Sequence, residues 1–112
     1  MQENQKQYVK AIQEVDKYVD PEVFNTEEKK ELSSIIKFGT VVKGLPADNI
    51  MQSLTRQDDT FMNQLSQYLK DEGFNPGSIE DLKARLFQYN YNITKTIENN
   101  KKLEEERTKK KT

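Results

Sequence analysis

Apolar residues recur along most of this chain at spacings of three and four, the pattern of helices with one dry face. Tyr8, Ile12, Val15 and Val19 form the first stripe, and Asp20-Pro21 ends it, because a residue before proline is pushed out of the helical region. Val23 and Phe24 then anchor a short connector to the core. Asn25 or Thr26 opens a second helix, with Glu27 and Glu28 at its positive end. Its buried stripe is Leu32, Ile35, Ile36, Gly39 and Val42, and it ends at Gly44. Phe38 and Val41-Val42 would also suit a short strand, but no second strand candidate lies nearby to pair with it. Gly39 costs about 1 kcal/mol of helix propensity against alanine, so it serves close helix approach or marks a loosening.

A turn at Leu45-Pro46-Ala47-Asp48 leads into a short third helix carrying Ile50, Met51 and Leu54. Thr55 and Asp58 are both competent caps for a fourth helix, with Phe61, Leu65, Tyr68 and Leu69 inward and Met62 on the flank. Gly73 closes that helix with a left-handed cap over which Phe74 folds back. After the turn Asn75-Pro76-Gly77, Ser78 and Asp81 make a box-like start to the last helix. Its seam of Leu82, Leu86, Tyr89, Ile93, Thr96, Asn100 and Leu103 decays from good knobs to poor ones. The pattern predicts helices at 4–19, 26–43, 48–54, 59–72 and 78–107. The predicted core is Tyr8, Ile12, Val15, Leu32, Ile35, Ile36, Ile50, Leu54, Phe61, Leu65, Leu69, Leu82, Leu86 and Ile93.

The fold expected is therefore all-α: a small four- to five-helix domain over residues 1–100 with a long, partly projecting C-terminal helix. A thirty-residue helix is about 45 Å long, more than a globule of this size can contain. Residues 101–112 form a charged helical extension that frays at its end, since Glu105/Lys109 and Glu106/Lys110 prolong a helix by only a few tenths of a kcal/mol each.

Composition narrows the function. With 112 residues there is room for one domain. Leu, Ile, Val and Phe number 26, about 23% of the chain, above the roughly 20% below which disorder is expected. Cysteine and histidine are absent, which removes disulfides, the usual zinc sites and imidazole or thiolate catalysis. No phosphate-cradling glycine loop, metal-ligand spacing or nucleophile elbow occurs, and the carboxylates fall on solvated faces, so neither an enzyme nor a cofactor is expected. No apolar run approaches a signal-peptide core or a membrane span, which predicts a cytoplasmic protein. In size, helical content and abundance of Asn, Lys, Glu and Ile the chain resembles small accessory proteins of phages and plasmids from AT-rich bacteria.

Two binding readings follow. Phe87 and Tyr91 are four apart and lie off the seam of the last helix, so that helix carries a second apolar face. The favoured reading is a non-enzymatic protein-interaction module, an adaptor, assembly factor or inhibitor. It docks through Leu82, Leu86, Phe87, Tyr89, Tyr91, Ile93 and Ile97 onto another protein, and pairs with a second copy as a homodimer. The alternative is a small DNA-binding regulator, since 48–74 has a helix-turn-helix outline. Arg56, Gln57, Asn63, Gln64 and Gln67 would then meet the duplex, together with Lys109, Lys110 and Lys111. Charge disfavours it: residues 46–77 hold two basic and five acidic side chains, a net of −3, whereas 78–112 hold nine and six, a net of +3. The acids Asp58 and Asp59 would stand where the fourth helix meets phosphate.

Overall fold

The computed structural model describes the backbone from Glu3 to Lys110 and the side chains as far as Lys102. It is all-helical, with five helices and no strand among the described residues. They are α1 (Glu3–Asp16), α2 (Thr26–Lys37), α3 (Ile50–Thr55), α4 (Asp59–Asp71) and α5 (Ile79–Lys110), and α2 runs on into a π-helical segment, Phe38–Val42. α1 packs on α2 and on the π segment, while α3 and α4 pack on α5. The molecule measures 53 × 32 × 25 Å, and its long dimension reflects α5.

The caps act as their chemistry requires. Asn25 accepts from the Glu28 amide at 2.8 Å while Glu28 accepts from the Asn25 amide at 3.0 Å, a reciprocal box. Asp58, rather than Thr55, caps α4 by accepting from the Phe61 amide at 2.9 Å. Ser78 and Asp81 repeat the box at the start of α5. α4 ends on Gly73 at φ +93°, with Phe74 donating to the Leu69 carbonyl, and the Phe74 ring is half-buried against the core.

Three expectations need correction. First, α1 stops at Asp16, short of Val19, and the chain turns through Tyr18 and Val19 to Asp20. Asp20 organises the connector: its carbonyl accepts from Val23 and Phe24, and its carboxylate from Glu22. Phe24 is thereby buried, whereas Val23 is exposed. Within α1 itself Ala11 and Val15 are buried, while Tyr8 and Ile12 are only partly so. A small side chain, not a large one, meets the neighbouring helix.

Second, the 26–43 helix is not α-helical to its end. Lys43 donates to the Phe38 carbonyl at 3.1 Å, five residues back, which widens the last turn. The extra residue rotates the register, so Phe38, Gly39 and Thr40 face inward while Val42 is 54% exposed. Gly39 both loosens the helix and admits a neighbour: a Cβ there would lie 2.9 Å from Leu54 Cδ2 of α3. Buried Thr40 satisfies its hydroxyl by donating to the Ile36 carbonyl at 2.9 Å. Third, Met62 lies in the core rather than on its flank, joined by Phe24, Phe38, Ala47, Met51 and Tyr89.

Candidate interaction surface on the long helix

α5 has two unlike sides. Leu82 and Leu86 are fully buried, Tyr89 and Ile93 nearly so, and Ile97 is half-buried where the bundle thins. These five of the seven interface candidates face their own bundle. Phe87 and Tyr91 point the other way and are 57% and 56% exposed. They stand side by side on one turn, with Ala84, Gln88, Asn90 and Thr94 around them. Lys95 places its ammonium 5.6 Å from the centre of the Tyr91 ring, a cation–π contact at the patch edge.

The rotation of α5 about its axis is set by a polar lock on its inner side. Glu31 of α2 is 8% exposed, which corrects the expectation that every carboxylate lies on a solvated face. Arg85 holds it in a fork, Nε to Oε1 at 2.8 Å and Nη2 to Oε2 at 3.1 Å. The same Nη2 donates to the Pro76 carbonyl at 3.0 Å, tying in the turn before α5. The Tyr89 hydroxyl donates to Glu31 Oε1 at 2.8 Å, and its ring packs on Phe24 with centroids 5.4 Å apart. Burial, reinforced by the hydrogen bond to Glu31 and its charge, pushes the Tyr89 hydroxyl far above the ordinary tyrosine range. Among the described residues no buried side-chain polar atom lacks a partner. Single-sequence reasoning missed this lock. The one available signal was an acid, Glu31, directly beside the apolar stripe of α2.

A groove of about 270 Å³ runs between the end of α1, α3 and the side of α5. Val15, Tyr18, Ile50, Met51, Ile93 and Ile97 line it, and Asn90 and Thr94 belong both to it and to the aromatic patch. On a helical wheel the groove and the patch are adjacent sectors of α5 joined by those two residues.

Of the candidate nucleic-acid residues, Gln57 and Gln64 line one open groove beside Lys43 and Thr60. Gln57 is half-buried and donates to the Ser53 carbonyl at 3.0 Å. Gln67 is exposed but bonded to Asp71 at 3.0 Å, while Arg56, Asn63 and Gln64 are exposed. At the start of α4 the Asp58 carboxylate is spent as the cap, and Asp59 pairs with Lys83 of α5. The side chains of Lys109, Lys110 and Lys111 lie outside the described residues. Among the described residues no cluster of three His, Cys, Asp or Glu side chains could hold a metal ion, and no helix is long and apolar enough to cross a membrane. Comparison with known protein families, curated proteins and solved structures finds no match to this chain.

Proposed function

We propose that this protein is a non-enzymatic, cytoplasmic interaction module that docks other protein surfaces on the outer side of α5. The observation that carries the reading is the Phe87–Tyr91 pair: two large rings, each more than half exposed, adjacent on a helix that the Glu31–Arg85–Tyr89 lock holds in one rotation. Among the described residues the other large exposed apolar side chains, Val9, Val23 and Val42, are smaller and lie off α5. Rigid aromatic anchors bind at low entropic cost, since few rotamers are lost, and each large side chain fully buried is worth roughly 1.5–3 kcal/mol. The adjoining groove supplies apolar area beside them. An adaptor, assembly factor or inhibitor acts through such a surface.

The regulator alternative has less support. The exposed face of α4 offers Asn63 and Gln64, but its first turn carries Asp59, and the segment is net acidic. The test compares wild type with Phe87→Ala/Tyr91→Ala and with Arg56→Glu, all immobilised and exposed to a lysate of the source organism. A species retained by wild type and Arg56→Glu, and lost from the aromatic variant at an unchanged melting temperature, is the expected result. The reading fails if nothing, further copies of this chain included, distinguishes the aromatic variant. It also fails if wild type binds generic duplex in a steeply salt-dependent manner that Arg56→Glu abolishes.

A further inference from the structure

The aromatic patch lies between two charge pairs that repeat in the same order. On the outer strip of α5 the charges read Glu80, Lys83, then, beyond the patch, Glu98 and Lys101, with Lys102 at the strip's edge. Between them lie Ala84, Phe87, Tyr91 and Thr94. At 3.6 residues per turn all nine positions fall within a sector of about 100°. Glu80, Glu98 and Lys101 are exposed, and Lys83 is partly so.

We infer that this strip pairs antiparallel with the same strip of a second copy, about a two-fold axis between Asn90 and Tyr91. The inference rests on the interaction role proposed for that face and names its occupant. Reversing the strip about that point sets Glu80 opposite Lys101 and Lys83 opposite Glu98, each twice in the dimer. Phe87 then lies opposite Thr94 of the second copy, beside the incoming Tyr91 ring. A parallel pairing would set Glu80, Lys83, Glu98 and Lys101 each against its own kind, which is repulsive. A foreign partner imposes no reason for opposite charges to stand at equal distances from one point of the strip, whereas an isologous interface requires it.

Glu80 and Lys101 are the discriminating pair. Lys83 already meets Asp59, and Glu98 lies 3.9 Å from Lys95, within one chain. Glu80 and Lys101 are about 30 Å apart along one helix, at 1.5 Å per residue, so they can meet only between copies.

Sedimentation equilibrium of the full chain at tens of micromolar tests the inference. Wild type is a dimer; Glu80→Lys and Lys101→Glu each weaken it about tenfold, because each reversal makes two like-charge contacts. The combined Glu80→Lys/Lys101→Glu variant returns to within about threefold of wild type. Glu80 and Lys101 are exposed, and unchanged thermal melts at concentrations too low for pairing show that the fold is intact. A monomeric wild type overturns the inference, as does a dimer in which the combined variant is no tighter than the single ones. If wild type is monomeric yet still retains a foreign species through Phe87 and Tyr91, the interaction role stands and the second copy falls. If it retains nothing through those rings, both fall.

Discussion

Leu86 and Phe87 are consecutive residues of α5, and Tyr89 and Tyr91 are two apart, yet each pair is split between opposite environments. Leu86 and Tyr89 are buried in the bundle; Phe87 and Tyr91 are more than half exposed. Residue type does not separate them, because a tyrosine stands on each side and both sides are apolar. Phase on the helix separates them, and the Glu31–Arg85–Tyr89 lock holds that phase. The inner side is therefore committed to folding, and the outer side is left exposed.

The comparison breaks most visibly on the neighbours Leu86 and Phe87. Leu86→Ala leaves a cavity in the centre of the bundle and is expected to cost about 2–5 kcal/mol in urea unfolding. Phe87→Ala removes a larger ring and, followed at concentrations too low for copies to pair, is expected to change stability by no more than about 0.5 kcal/mol. Equal costs would mean that the outer ring is part of the core.

The lock ranks next. Arg85→Ala strands the buried Glu31 carboxylate and is expected to cost about 3 kcal/mol, because an unpaired charge loses far more than the intact pair contributes. Glu31→Leu/Arg85→Leu should recover part of that loss in the same urea titration. A double variant as weak as Arg85→Ala would place the defect in packing rather than in the stranded charge.

The two tyrosines sharpen the contrast further. Tyr89→Phe removes the hydrogen bond to Glu31 and is expected to cost about 1–2 kcal/mol near neutrality. An unfolded tyrosine titrates near pH ~10, and the folded Tyr89 value is higher. The folded state thus favours the protonated phenol. That stabilisation is complete below pH about 10 and is lost as the pH rises from there through the folded value. Denaturation followed across alkaline pH should show a shallower fall for Tyr89→Phe than for wild type. Tyr91→Phe, the smallest effect, should leave stability near neutrality unchanged within about 0.5 kcal/mol.

What could be read from the amino-acid order was local. Asn25 opening α2 ahead of Glu28, Ser78 with Asp81, and Gly73 with Phe74 each act within five residues, and the structure uses all three. The inner seam of α5 was equally readable, because Leu82, Leu86, Tyr89 and Ile93 share one period. The lock was not: Glu31 is satisfied by Arg85 and Tyr89, residues brought to it by tertiary packing alone. The inward turn of Phe38 at the expense of Val42 was hidden for another reason. A uniform period of 3.6 assigns Val42 to the dry stripe, and only the widened turn, admitted by Gly39 and closed against α3, removes it.

That widened turn sets how lengths can vary along the chain. It holds one residue more than an α-helical turn would, and α1 is tied to its far side: Asn4 donates to the Val41 carbonyl at 3.2 Å, and the Gln7 side chain accepts from the Ala47 amide at 2.8 Å. Losing a single residue between Phe38 and Val42 would swing everything beyond it by about 100° and pull both amide anchors out of reach. Replacements that preserve spacing there are far gentler than a deletion. Between this chain and any descendant the count of residues from Ile36 to Ala47 should therefore stay constant even where their identities drift.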